Sequence, residues 1–162
     1  MPKRLSKREL KRYLGGRHVA VLATIGKNGE PVLTPIWYLY LDGKIMMRTG
    51  KEAGKVKNIQ RDPRVTVCVQ DERPPYSSAT IYGTATIEPQ KPELGPKMAR
   101  HYLGAIGAAG YKRTAAEQIE ADGGEITIVV TPERMTTQDF SLETPLVGKV
   151  WLQLRRILPP WL

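Results

Sequence analysis

The sequence predicts a mainly β domain of the α+β type, an antiparallel barrel with short flanking helices. Three observations predict it. Apolar runs with alternating or β-branched character recur at short intervals, tight glycine-bearing turns join them, and few helical stretches intervene. Parallel strands need a long crossover, and turns this short leave no room for one. The chain has 162 residues, 41% hydrophobic and 25% charged, the composition of an ordinary globular domain. A chain of this length buries about 70% of the surface it exposes when unfolded, enough for one core.

The first helix is marked by Ser6 and Glu9, which have the spacing of a capping box, and by Leu5 and Leu10, placed as a hydrophobic staple. Gly15 and Gly16 end it. His18 to Ile25 reads as the first strand, Gly26-Lys27-Asn28-Gly29 as a hairpin turn, and Pro31 to Leu41 as the second strand. Pro35 lies inside that strand and donates no ladder hydrogen bond, so an edge or a bulge is expected there. Asp42-Gly43 turns the chain into a third strand, Lys44 to Thr49. A short helix over Glu52 to Gln60 follows, broken by Asp62-Pro63. Arg64 to Gln70 and Tyr76 to Ile87 are strands, the latter bent at Gly83. Pro92 to Leu103 and Lys112 to Ala121 read as helices, Ile126 to Thr131 and Arg134 to Phe140 as two further strands. Residues 1–145 make one domain. Residues 146–162 form an amphipathic tail, with Val147, Val150, Trp151, Leu154 and Leu158 at helical spacing and Lys149, Arg155 and Arg156 off that stripe. The tail is expected to pack on the barrel or on a partner subunit, with weak membrane-surface contact as the alternative.

The net charge is +9, and seven of the 25 lysines and arginines fall in the first 17 residues. Such a balance suits anionic partners: phosphates, nucleic acid, acidic lipids or a polyanionic cofactor; for the N-terminal cluster a solvated helix face is the first reading and the steering of an anion the second. The single cysteine, Cys68, sits in an apolar alternating run and is expected to be a buried, inert thiol in a reducing, cytoplasmic compartment. No apolar run reaches the roughly 20 residues that a membrane-spanning helix needs.

Several chemistries are disfavoured. His18 and His101 are the only histidines, and no metal-type spacing of Cys and His occurs. The serines lack a nucleophile-elbow context, and neither a Walker loop nor a Rossmann fingerprint is present. An enzyme built from this chain needs a cofactor to carry its chemistry. The strongest candidate for a binding site is the stretch from Arg48 to Asn58, which passes from a strand end into a helix. Gly50 and Gly54 let backbone approach a ligand, the helix start offers unpaired N–H groups and a positive dipole end, and Arg48, Thr49, Lys51 and Lys55 add charge and a hydroxyl. This suits a phosphate monoester; a solvated lysine-rich helix start is the alternative. Thr34-Pro35-Ile36-Trp37 is the second feature. A proline-interrupted strand leaves backbone groups free beside apolar side chains, where a planar heterocycle docks; core packing around Trp37 is the alternative.

Read in order, several segments resemble the pyridoxamine 5'-phosphate oxidase-like split-barrel family, in particular its deazaflavin-dependent branch. They are Val19 to Thr24, Asn28-Gly29-Glu30-Pro31, Thr34 to Trp37, Lys55 to Val65 and Gly83-Thr84-Ala85. The resemblance runs from Leu14 to Pro89 and extends loosely to Phe140 through Tyr102-Leu103-Gly104 and Thr131-Pro132-Glu133-Arg134. It implies a split β-barrel of the FMN-binding type, working as a homodimer with a cofactor in each intersubunit groove. By motif position Arg48, Thr49, Gly54 and Lys55 would hold the cofactor phosphate, Thr34, Pro35, Ile36 and Trp37 would line its ring system, and Tyr76 would approach from the other subunit. Ala53 stands where relatives often carry a second basic residue, a role that Lys51 or Arg48 would take.

The implied cofactor is FMN or an 8-hydroxy-5-deazaflavin coenzyme of F-420 type, and the implied activity is hydride transfer to an unsaturated small molecule. The deazaflavin has an oligoglutamate tail, which the basic N-terminal segment would suit. The C-terminal tail lacks the arginine and tryptophan spacing of pyridoxamine phosphate oxidases proper, so vitamin B6 oxidation is not implied. No catalytic residue is evident; Tyr38, Tyr40 and Tyr76 are candidate proton donors. A non-catalytic flavin carrier or sensor would use the same pocket. A basic nucleic-acid-binding barrel is disfavoured by an aromatic content of 7% and by the lack of a strand alternating lysine with base-stacking aromatics.

Overall fold

Seven antiparallel strands and three helices make up the computed structural model, which describes residues 3–72, 74–121 and 123–141. They are α1 (Lys7–Leu14), β1 (Ala20–Ile25), β2 (Pro31–Ile36), β3 (Tyr38–Leu41), β4 (Lys44–Gly50), α2 (Gly54–Arg61), β5 (Arg64–Gln70), β6 (Ser77–Pro89), α3 (Leu94–Ala121) and β7 (Glu125–Asp139). The expected tail over residues 146–162 lies outside the described residues.

The strand order is β2-β1-β5-β6-β7-β4-β3, which places two consecutive strands at opposite edges. The sequence led us to expect one strand from Pro31 to Leu41. It is broken at Trp37, with β2 paired to β1 and β3 paired to β4. Laid flat, seven strands would hold those edges about 29 Å apart. A one-residue link spans no more than about 7 Å. The sheet must therefore curl until its edges meet at Trp37, and this makes it a split barrel. The expectation of an edge at Pro35 holds, because β2 is an edge strand.

The crossover is tied down by α3. The Trp37 ring stacks on Tyr102 with centroids 4.6 Å apart and planes within 4°. The Tyr102 hydroxyl accepts the Tyr38 N–H at 3.1 Å and lies 2.7 Å from the His18 carbonyl and 3.0 Å from the Tyr38 carbonyl. Between α3 and the sheet, Leu39, Leu94 and Met98 form a small apolar layer with Trp37, Met46 and Tyr102 against it. The larger core fills the barrel with Leu22, Ile45, Met47, Val67, Val69, Ile81, Ile128 and Val130, among others.

Two more expectations are corrected by pairing. Ile126–Thr131 and Arg134–Phe140, expected as two strands, are one strand, β7, along the whole of β6. A bulge opposite Tyr82 and Gly83 continues it past Glu133, and a Cβ at Gly83 would strike the Thr131 carbonyl oxygen. The two expected helices after Pro92 form one span broken at Gly104, whose φ of 71° takes it out of the helix, so the second part starts before Lys112. The Asp42-Gly43 turn has positive φ at both residues, as a two-residue hairpin requires. At the first hairpin only Gly29 does. Cys68 is half-buried rather than buried, since strand alternation gives the inner row of β5 to Val67 and Val69.

The strands run between two poles. At one, α1 covers the barrel end: Leu10, Tyr13 and Leu14 pack on the core, and the Tyr13 hydroxyl donates to the Ser77 carbonyl at 2.7 Å. The capping box forms, with Ser6 and Glu9 bonded in both directions. Lys3 and then Ser6 hold the Glu9 carboxyl down to about 2. At the other pole α2 packs on β1 and β6.

Two predictions follow from these contacts. Tyr102→Phe leaves the Tyr38 N–H without its acceptor and should cost about 1–3 kcal/mol in urea unfolding; unchanged stability would show that the hydroxyl does not hold the crossover. The second concerns His18, half-buried beside Tyr13 (rings 4.6 Å apart) and 3.9 Å from Asp71. Burial lowers its pKa below the ordinary 6.5; the Asp71 charge and a Tyr13 backbone bond oppose this, and His101 adds to it. The unfolded chain then binds the proton more readily, so stability should fall as pH drops below about 6.5 and level off below the lowered folded value. Comparing the urea midpoint of His18→Gln with the native protein across this range checks it; parallel curves would refute it.

Candidate functional site

The α2 pole gathers part of the expected phosphate site. Thr49 is on the inner row of β4, and the Lys55 ammonium donates to its hydroxyl at 3.2 Å. Helix α2 begins openly. Its N-cap residue, Ala53, makes no side-chain cap bond, and its first turn carries no acidic residue. A Cβ added to Gly54 would meet nothing within 4 Å. A helix start of this kind presents backbone N–H groups and positive dipole to the space in front of it. Lys51 is exposed beside it, its N–H bonded to the Gly124 carbonyl at 2.9 Å.

Arg48 is directed elsewhere. Successive strand residues face opposite sides of a sheet, so with Thr49 inward, Arg48 points to the α3 side. There its guanidinium pairs with Glu125 at 2.5 Å, the two side chains only 15% and 5% exposed. It lies against the backbone of Gly95, where a Cβ would be 2.6 Å from the guanidinium carbon. Gln90 donates to the same Glu125 oxygen at 2.9 Å. Arg48 thus fastens β4, β7 and the first turn of α3, while Thr49 and Lys55 stand on the other side of the strand.

A polar link that the sequence reading did not single out orients α2. The Asn58 amide donates to the Thr24 hydroxyl at 3.0 Å, and Arg61 donates to the Ile25 carbonyl at 2.8 Å and to the Asn58 side-chain oxygen at 2.9 Å. Thr24 is buried, and a threonine on the inner row of an otherwise apolar strand was the available signal. This link holds the helix beside β1 at the level where Thr24 pairs with Val32 of β2. From there β2 runs through half-buried Thr34, exposed Pro35 and half-buried Ile36 to Trp37. Asn58 and Arg61 belong to the second half of α2, so this link sets the end of the helix beside the start of β2, while Thr34 to Trp37 lie further along β2 toward the α1 pole. Trp37 itself packs on Tyr102, with Tyr111 5.5 Å away.

Tyr76 is not in this group. It is 54% exposed and stands at the α1 pole, where its carbonyl accepts the Phe140 N–H at 3.0 Å. Outside the barrel, β2, β1, β5 and β6 present a second surface. Leu33 is 64% exposed and lies opposite Ala23, with Val21 and Cys68 in the neighbouring row. A hollow of about 360 Å³ opens on this face, lined by Ala23, Ile25, Pro31, Thr66 and Tyr82 among others. Arg134 stacks over the Tyr82 ring at 3.8 Å. No group of metal ligands occurs among the described residues.

Comparison with known proteins agrees with this geometry. The fold is similar to that of Rv2991, a conserved hypothetical protein from Mycobacterium tuberculosis: 26% identity, 87% of this chain and 89% of that one covered, TM-score 0.71. An FAD-binding protein from Mesorhizobium loti aligns at 17% identity over 86% of this chain and 96% of that one, TM-score 0.61. An F420 reductase aligns at 20% identity over 77% and 94%, TM-score 0.58. The sequence profile described as pyridoxamine 5'-phosphate oxidase matches residues 6–139, nearly the whole described structure, and so the chain belongs to the pyridoxamine 5'-phosphate oxidase family.

Proposed function

We propose that this chain is a flavin-type oxidoreductase that binds a deazaflavin coenzyme of F-420 type, or FMN, between two copies of itself and passes a hydride to an unsaturated small molecule. The observation that carries this reading is the open start of α2 with Lys55 and Thr49 beside it. In this reading Thr49, Lys55 and the N–H groups at Gly54 hold the phosphate, with Lys51 adding charge from the rim. The Asn58–Thr24 bond fixes α2 against β1. The residues fit such a group: a phosphate meets donors and a positive helix end there, and no carboxylate sits in the first turn. Arg48 contributes by fixing β4, since its charge is already paired with Glu125.

When bound, the tricyclic ring supplies the hydride chemistry; the protein orients it and excludes water. Thr34 and Ile36 face the side of Leu22 and Ala20 and Pro35 the other, so a ring at this edge strand would meet its backbone. The homodimer accounts for the outer face of β2, β1, β5 and β6, where Leu33, Val21 and Ala23 would exclude water against a second copy. Tyr76 would reach a cofactor from that second copy, because in its own chain it precedes β6, three strands away from β2. The relatives that bind FAD and act as an F420 reductase support a flavin-type ring and leave both candidates in play.

Incubating the protein with FMN or the deazaflavin, removing excess and recording the absorption spectrum tests the reading. One cofactor should be retained, and substrate-dependent bleaching of its reduced form separates an enzyme from a carrier. Lys55→Ala should weaken retention by about 1.5–3 kcal/mol, the usual worth of a charged hydrogen bond, or roughly tenfold to a hundredfold in Kd. An unchanged Kd would remove Lys55 from the site, and retention of neither cofactor would overturn the proposal.

A further inference from the structure

Helix α1 carries a charge pattern that its own fold does not explain. Lys7, Arg8, Lys11 and Arg12 are all exposed, and their i, i+1, i+4, i+5 spacing puts them on one face, opposite the Leu10, Tyr13 and Leu14 stripe on the core. Arg4 and Arg17 flank the helix and are exposed as well. None of these six has an acidic partner among the described residues, and the one acid of the helix, Glu9, is taken by Lys3 and Ser6. Lys11 and Arg12 in the last turn suit the helix dipole, but Lys7 and Arg8 in the first turn oppose it, and Lys7 with Lys11 and Arg8 with Arg12 repel at i,i+4. A face serving only solubility would alternate signs.

The surroundings indicate the partner. The last strand ends at this same pole: Asp139 and Lys3 exchange backbone hydrogen bonds of 2.9 Å in both directions. The sequence beyond Ser141 sets Trp151, Leu154 and Leu158 among Lys149, Arg155 and Arg156, with Trp161 following. Cations beside tryptophan and leucine are the composition of segments that lie on anionic bilayers. Nucleic-acid readers instead need stacking aromatics or groove-fitting elements among their cations, and α1 shows only Tyr13, turned to the core. No helix among the described residues is long and apolar enough to cross a membrane, so contact would be with a surface.

We propose that the α1 pole docks on an anionic phospholipid bilayer surface, with Lys7, Arg8, Lys11 and Arg12 facing the headgroups. The phosphate site lies at the other end of the strands, so docking leaves it clear of the membrane plane. The proposal is independent of the cofactor reading.

The test is flotation of the full chain, without added cofactor, with vesicles of phosphatidylcholine alone and of an equimolar mixture with phosphatidylglycerol. Binding is expected only to the mixture and should weaken steeply with salt. Replacing Lys7, Arg8, Lys11 and Arg12 by alanine should lower the partition coefficient about fivefold for each cation removed. Alanine favours the helix, so the circular dichroism spectrum should be retained and a lost fold excluded as the cause. Equal binding by the four-alanine variant, or no preference for the anionic vesicles, would overturn the proposal. So would a random-sequence DNA duplex that displaces the protein from the vesicles at physiological salt, since that would assign the face to nucleic acid.

Discussion

The fold depends on one crossover. The chain passes from one edge of the sheet to the other through Trp37 alone, and this forces the curl that turns seven strands into a split barrel. Such a link is costly to leave untied, because it interrupts the backbone ladder at a place that α3 buries. The Tyr102 hydroxyl meets that need by accepting the Tyr38 N–H and reaching the His18 and Tyr38 carbonyls. The stacked Trp37 ring carries the same contact into the α3 layer.

From the curl comes a molecule with two ends. Every strand that meets α2 at one pole meets α1 or its neighbours at the other, and the two poles carry different chemistry. At the α2 pole, positive potential is concentrated in an uncapped helix start with one lysine and one hydroxyl in register. At the α1 pole it is spread over a convex helical face without acidic partners. A phosphate fits the first, and an extended anionic surface fits the second. The division lets one small basic protein hold a cofactor and meet a large polyanion without competition between them.

Much of this was legible in the sequence, and particular residues show why. The capping box at Ser6 and Glu9, the Asp42-Gly43 turn and the alternation from Arg64 to Gln70 are local signals, and local backbone physics suffices to read them. The basic stretch before α2 was also legible, because a strand end, two glycines and a lysine-rich helix start lie within a few residues. What failed were inferences about continuity. Ile126–Thr131 and Arg134–Phe140 looked like two strands and are one, continued past Glu133 by a bulge opposite Tyr82 and Gly83. Trp37 gave no sign that it interrupts a strand. Cys68 looked buried because its neighbours are.

The sequence by itself determined the antiparallel class, the first helix and its cap, the Asp42-Gly43 turn and the cationic character of the strand-to-helix segment, since each rests on residues close together in the chain. Only the tertiary structure decided how Arg48 and Thr49 divide their tasks. Strand alternation separates them, but which side holds α2 and which holds Glu125 and Gly95 depends on contacts with residues about 45 to 75 positions away. The same long-range pairing set α1 and α2 at opposite poles and brought Asp139 back beside Lys3. No local pattern encodes which distant strand edges and helices will meet.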